Sequence, residues 1–282
     1  MPSRNSGITM PSTMDRRTPP LHPSPGLPDV LSRRMFLALG AALGPLACAP
    51  GTPSAGPGAE AARITARPQS TPTDAPLPVG ESPLGLSHDG RDGLIYVPKQ
   101  GGRPRLPLLL LLHGATGSAA RITSRTGAFD LAEELGVVVL APDSREATWD
   151  IATGPPGPDL AFIDRALQYV CARTPIDSHR FAVGGFSDGA SYALSLGLTN
   201  GDVFSHVIAF SPGFIKARRT VGHPAIFVSH GTLDDILPAD DTSRKFVPDL
   251  ESAGYPIRYR EFNGGHTVPP EIAREAFKWL AG

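Results

Sequence analysis

Five short apolar runs, each broken off by a polar or glycine-rich turn, restrict what this chain can fold into more than any other feature. Leu106–Leu112 ends at His113-Gly114, and Gly136–Leu140 ends at Ala141-Pro142-Asp143. Phe181–Val183 ends at Gly184-Gly185, His206–Phe210 at Ser211-Pro212-Gly213, and Ala225–Val228 at Ser229-His230-Gly231. A strand with one wet face alternates apolar and polar residues, whereas continuous runs of this length suit strands covered on both faces, as in a parallel sheet. Helices are predicted between them over Gly127–Leu135, Asp159–Arg173, Asp188–Leu198, Thr242–Ala253 and Pro270–Leu280. Asp159, after Pro158, is placed to cap its helix, with Phe162, Ala166, Leu167 and Val170 on one face. Gly93–Val97 reads as an early strand and Tyr255–Phe262 as the last. This alternation predicts an α/β fold: a mostly parallel, doubly wound sheet with helices on both faces. Ligands of such sheets sit at the C-terminal ends of the strands, where these turns lie.

Composition sets the limits of that domain. The 31 prolines among 282 residues crowd the stretch from Met1 to about Pro83, which is rich in Gly, Ala, Ser and Thr and has almost no aromatics. Such a segment cannot bury enough apolar surface to offset its ordering entropy. The expected organisation is a leader over residues 1–49, a disordered tether over 50–83 and a catalytic domain over 84–282. Lys and Arg total 26 against 27 Asp and Glu, which argues against nucleic acid or an anionic membrane surface as a bulk electrostatic partner.

Within the leader, Ser32-Arg33-Arg34-Met35-Phe36-Leu37 precedes an apolar run from Leu37 to Ala49. Paired arginines before a short run of small apolar residues are the layout of a twin-arginine export signal. The run is too short, and too broken by Pro45, to span a bilayer, which needs about 20 apolar residues. The long stretch ahead of Ser32 is unusual for a leader, so Met10 and Met14 are alternative starts. Leu46-Ala47-Cys48 resembles a lipobox, in which Cys48 would carry lipid and tether the protein to a membrane; cleavage after Ala49 is the competing reading. Only Cys171 then remains in the domain, so no internal disulfide is available, and its apolar helix suits an inert core thiol.

The chemistry centres on Gly185-Phe186-Ser187-Asp188-Gly189, between a predicted strand and a predicted helix. That is the context of a nucleophile elbow. A sharp strand-to-helix reversal strains the serine backbone and presses the residues two before and two after against each other. Gly185 and Gly189 allow this, and the reversal lifts Ser187 into the open with a helix N-terminus behind it. A serine hydroxyl needs a base, itself oriented by a carboxylate, in the chain order Ser, acid, His. His206 and His223 lie at the wrong end of the sheet, and His230 precedes any suitable acid. His266, in Asn263-Gly264-Gly265-His266-Thr267, follows the last strand and is the base. Position leaves Asp234 and Asp235 both open as the acid. Developing oxyanion charge needs two donors, the Asp188 N–H and one from the loop after Leu112, Ala115 ahead of Thr116. His113 is expected to brace that turn. Trp149 fits equally a pocket floor and a packing role, and Phe186 and Phe214 lie near the site by position.

Leu112-His113-Gly114, Gly185-Phe186-Ser187-Asp188-Gly189-Ala190-Ser191, His230-Gly231-Thr232-Leu233-Asp234 with Leu237-Pro238, and Gly265-His266 together resemble the α/β-hydrolases of the phospholipase/carboxylesterase and polyhydroxybutyrate-depolymerase-like esterase kind. The resemblance implies the α/β-hydrolase fold without a large lid, and it selects Asp234 as the acid, from the spacing in His-Gly-x-x-Asp. The expected activity is hydrolysis of carboxylic esters, on small molecules or on the acyl decorations of a polymer, with short or medium acyl chains. A peptidase or thioesterase on the same fold, and a ligand-sensing lipoprotein that does not turn over, are the alternatives. No cofactor is implied, and no histidine pairs with Cys or carboxylates at metal-ligand spacing.

Overall fold

A computed structural model of the protein describes residues 63–69, 71–88, 90–99, 103–153, 157–217 and 219–282. The leader, Cys48 and the first part of the expected tether lie outside the described residues.

The strands are β1 (Gly80–Pro83), β2 (Gly93–Val97), β3 (Leu106–Leu112), β4 (Val138–Pro142), β5 (Ile176–Phe186), β6 (His206–Phe210), β7 (Ala225–Gly231) and β8 (Ile257–Phe262). They form one sheet in the order β1-β2-β4-β3-β5-β6-β7-β8. β2 runs antiparallel to β1 and β4, and every other pairing is parallel. The helices are α1 (Ala119–Thr126), α2 (Ala128–Leu135), α3 (Asp150–Thr153), α4 (Pro158–Cys171), α5 (Asp188–Thr199), α6 (Ser243–Ser252) and α7 (Pro270–Ala281).

The continuous apolar runs are explained by what covers the sheet. Successive strand residues point to opposite faces, and both faces carry helices. Leu108, Leu110, Val183, Val207 and Val228 pack with Ile163, Leu167 and Val170 of α4 and with Ala190 and Leu194 of α5. Leu109, Leu111, Val139, Ala182 and Ile208 pack on the other face with Ile122 of α1, Leu131 of α2 and Phe277 of α7. Cys171 belongs to the first of these clusters, and burial pushes its thiol up to about 12, so it stays a thiol.

Three expectations need correction. Parts of the stretch assigned to the tether, around Ile64, Asp74 and β1, are held on the domain. Ile64 and Ala66 are buried in the core, and the Ile64 N–H donates to Asn200 Oδ1 at 2.8 Å. Asp164 accepts from the Thr65 and Ala66 N–H groups at 2.8 Å each. A few well-placed apolar and polar contacts thus order a segment whose average composition suggests none. Second, Asp159 does not cap α4, which starts at Pro158 behind Gly157. Its buried carboxylate instead accepts from the Arg145 N–H at 2.5 Å and the Asp150 N–H at 2.7 Å, tying the loop after β4 to α4. Third, α1 was not predicted, because Ala119–Thr126 has no continuous apolar face. It is started by Ser118, which accepts from the Arg121 N–H, and by Asp143, which accepts from the Ala119 N–H at 2.7 Å.

Replacing Ile64 by Ala is expected to cost about 2–4 kcal/mol of stability, as for a buried aliphatic side chain in a core. Urea unfolding of the two proteins checks this; an unchanged midpoint would show that the docked segment adds nothing.

Candidate active site

β5 delivers the chain to Ser187 and α5 carries it away, and the reversal is enforced by backbone approach. Ser187 has φ 58° and ψ −118°, a conformation rarely adopted by a residue with a side chain. A Cβ at Gly185 would lie 2.5 Å from the Gly189 carbonyl carbon and oxygen, and one at Gly189 would collide with the Leu112 and His113 carbonyls of the neighbouring strand end. Only glycine fits either position. Ser187 is more enclosed than the sequence suggests, at 5% exposed.

His266, on the loop between β8 and α7, places Nε2 at 2.8 Å from Ser187 Oγ. Its Nδ1 lies 2.6 Å from Asp234 Oδ2, on the loop after β7. The three residues come from three separate loops at the C-terminal edge of the sheet, in the order serine, acid, histidine. Asp234 is buried and Asp235 exposed, which separates the two acids that position alone left open. Asp234 Oδ1 also accepts from the Ile236 and Leu237 N–H groups at 3.0 and 2.8 Å. Burial pushes the Asp234 carboxyl up, but the hydrogen bonds from His230, His266 and the Leu237 N–H outweigh it and hold the group well below the usual carboxylate range. An ionised carboxylate thus fixes the His266 ring, and leaves Nε2 to accept the Ser187 proton.

The loop after β3 closes over the serine. A Cβ at Gly114 would lie 3.3 Å from Ser187 Cβ, so the backbone of this loop runs against the nucleophile position. The Thr116 N–H is taken by the Ala147 carbonyl at 2.6 Å, and the Gly117 N–H by Gly114 at 3.0 Å. These bonds occupy the Thr116 and Gly117 N–H groups, so the Ala115 N–H is the candidate oxyanion donor from this loop, together with that of Asp188 at the first turn of α5. His113 braces the loop as expected. Its Nε2 accepts from the Ser144 N–H at 3.0 Å, so Nδ1 carries the hydrogen and donates to the Gly114 carbonyl at 2.8 Å. Burial pushes the His113 ring below its ordinary value, in keeping with this neutral form.

Trp149 does not floor a pocket. It is fully buried, its Nε1–H donates to the His113 carbonyl at 2.8 Å, and its ring packs between His113 and Tyr192. The indole is a strut under the β3 loop. Phe186 packs against the His266 ring at 4.7 Å between centroids, and the Arg125 guanidinium carbon lies 4.7 Å from the Phe186 ring centroid. Phe214, half-buried, carries Lys216 Nζ 5.1 Å from its ring. Its loop is held by Ser191 Oγ, which accepts from the Gly213 N–H at 2.9 Å.

One contributor was missed by sequence reasoning. The Asp188 side chain is buried, and its Oδ2 accepts from the Thr148 hydroxyl and the Trp149 N–H. Burial pushes this carboxyl up, only partly offset by those two bonds. Asp188 thereby ties the start of α5 to the 147–149 segment, whose Ala147 carbonyl holds Thr116. The signal available in the sequence was an acid where its charge would be unwelcome.

Residues 160–280 match the phospholipase/carboxylesterase family. The chain is 31% identical over 157 residues to the bifunctional acetylxylan esterase/xylanase of Neocallimastix patriciarum, covering 52% of this chain and 22% of that protein. It is 30% identical over 141 residues to S-formylglutathione hydrolase of Bos taurus, covering 42% of this chain and 50% of that protein. The chain thus spans half or less of the length of these curated relatives. Among solved structures, the fluorophosphonate-binding serine hydrolase F of Staphylococcus aureus superposes with TM-score 0.58 at 17% identity, covering 74% of this chain and all of that one. That likeness is one of fold: the chain has the α/β-hydrolase fold.

The depressed Asp234 carboxyl has a consequence for acid stability. Its ionised form contributes stability that is fully present above the unfolded carboxylate value of about 3.9 and is lost as pH falls towards the folded one. Asp234→Asn lacks this contribution. The stability gap between wild type and variant, from urea unfolding, is expected to narrow from pH 6 to pH 3. A gap independent of pH would show that Asp234 is not held ionised by its neighbours.

Proposed function

We propose that this protein is a serine hydrolase that cleaves carboxylic esters through an acyl-Ser187 intermediate. The observation that carries the reading is the unbroken hydrogen-bonded line from Ser187 Oγ through both ring nitrogens of His266 to Asp234. In the reaction Ser187 Oγ attacks the ester carbonyl carbon while its proton passes to His266 Nε2. The carbonyl oxygen gains negative charge and is met by the Ala115 and Asp188 N–H groups, with the N-terminus of α5 behind them. His266 then gives its proton to the leaving alkoxide, and the C–O bond to the alcohol breaks. Water, deprotonated by the same His266, attacks the acyl-serine, and Ser187 recovers its proton as the acid departs. Asp234 orients the ring and balances the imidazolium formed twice per cycle.

The connection from β6 to β7 contains no helix among its described residues, so no helical lid from that segment covers Ser187. The lack of a helical lid there suits short or medium acyl esters, or acyl groups borne on a polymer. The similarity to an acetylxylan esterase/xylanase supports the polymer-borne case. Thioester hydrolysis is the second reading, favoured by the similarity to S-formylglutathione hydrolase. The proposed workplace is outside the cytoplasm, supported by the paired Arg33-Arg34 ahead of an apolar run, with Cys48 as a lipid tether in one of two processing routes.

Ser187→Ala is expected to reduce turnover of p-nitrophenyl acetate by at least about 10⁴-fold while the far-ultraviolet circular dichroism stays unchanged. Retained turnover would remove Ser187 as the nucleophile. Matched ester, thioester and amide substrates rank the leaving groups, with the ester fastest and the amide slowest.

A further inference from the structure

Behind the triad lies a second histidine that none of these steps uses. His230, near the end of β7, is fully buried. Its Nε2 lies 2.7 Å from the Leu237 carbonyl oxygen and 3.4 Å from Asp234 Oδ2, the oxygen that also meets His266. On the other side of the ring, Nδ1 lies 2.9 Å from Ser243 Oγ. Ser243 Oγ lies 2.9 Å from the Tyr259 hydroxyl, which lies 2.8 Å from Glu261 Oε1. Sheet register sets His230 directly opposite Glu261, which is why the line closes. At its outer end Arg244 grips Glu261 with two bonds of 2.7 Å.

This line has four links, Leu237–His230, His230–Ser243, Ser243–Tyr259 and Tyr259–Glu261, and each needs one hydrogen. The carbonyl at one end and the carboxylate at the other only accept. Ser243 and Tyr259 bring one hydrogen each, and a neutral imidazole brings one. That makes three hydrogens for four links, and one link would set two lone pairs against each other inside the protein. Glu261 does not supply the fourth, because the Arg244 bonds hold its carboxyl down to about 2. Tyr259 keeps its own, pushed up to about 12 by burial with Glu261 beside it. The remaining place for the fourth hydrogen is the His230 ring.

We propose that His230 is held as an imidazolium that donates from both ring nitrogens, a positioning residue that flanks Asp234 with a positive charge. The groups around it balance that charge. Asp234 and the Leu237 carbonyl face it from the acid loop, Tyr259 and Glu261 from β8, and Ser243 and Arg244 from α6. His266 shares Asp234 from the loop after β8, and Arg244 is itself balanced by Glu261 and Asp240. Only the kinetic consequence rests on the esterase reading. A cation beside Asp234 weakens the pull of that carboxylate on a proton at His266, so His266 remains able to accept the Ser187 proton at lower pH. Removing the cation is expected to move the acid limb of kcat/KM to higher pH.

The test is nitrogen NMR of the full chain labelled with ¹⁵N-histidine, at pH 7.5, beside the Tyr259→Phe variant. The phenylalanine removes two links and one hydrogen, leaving two links that a neutral His230 and Ser243 fill. The expected result is two N–H nitrogens on His230 in the wild type and one bare nitrogen in the variant. The acid limb of the variant's p-nitrophenyl acetate profile moves up, and KM stays unchanged. A bare nitrogen on wild-type His230, or two N–H groups retained in Tyr259→Phe, overturns the proposal whether or not esters are hydrolysed. The wild-type spectrum decides alone if the variant does not fold. Two N–H groups on His230 without any ester turnover would overturn the hydrolase reading and leave the proton assignment standing.

Discussion

Everything at this site depends on one tight backbone crossing, where the reversal from β5 into α5 brings Gly185, Gly189 and the end of β3 within van der Waals contact. The crossing leaves no room for a Cβ at either glycine and holds Ser187 at φ 58°. Strain of this kind costs on the order of 1–3 kcal/mol and persists only when the surroundings over-determine it. Here the surroundings are the middle of the sheet. β5 lies between β3 and β6, both parallel to it, and α5 packs into the core along its whole length. The strained serine therefore sits on the most constrained part of the molecule, where its position is least free to drift.

The same crossing brings together the two segments that carry the proposed oxyanion donors. The Asp188 N–H belongs to the elbow, and the Ala115 N–H belongs to the loop after β3. Between them runs the 143–149 segment, joined to the first by the Asp188 carboxyl and to the second by Ala147, Ser144 and Trp149. A carboxyl beside the serine would oppose a developing oxyanion if it were ionised and free. Burial pushes it towards the neutral form, and its bonds point it away into the loop. On the far side of the triad, His230 and the line through Ser243 and Tyr259 to Glu261 hold Asp234 from behind. Ser187, His266 and Asp234 are thus braced from two directions by neighbouring groups.

Much of this was legible in the chain because the informative contacts are encoded locally. The central strands announce themselves as continuous apolar runs since both of their faces are covered, and the elbow announces itself through the spacing of two glycines about a serine. His266 follows from chain order. What was not legible depends on contacts between distant segments. Residues 63–66 look like tether by composition, and their bonds to Asp164 and Asn200, some hundred residues on, reveal that they dock. Trp149 allowed two roles until its indole N–H found the His113 carbonyl. Asp234 and Asp235 differ by burial, which neighbouring positions on one loop do not disclose. His230 was passed over as a base for sound reasons of order, and its surroundings arise from strand register, which pairs it with Glu261 across β7 and β8.

The central claim is that Ser187, deprotonated by His266, is the nucleophile. A fluorophosphonate probes it directly, since attack by an activated serine oxygen forms an O–P bond and expels fluoride. Mass spectrometry of the treated protein and its peptides should find one phosphonyl group per chain, on Ser187, and none under the same conditions in His266→Ala. An unlabelled protein, or a label carried by a different residue, would contradict the claim.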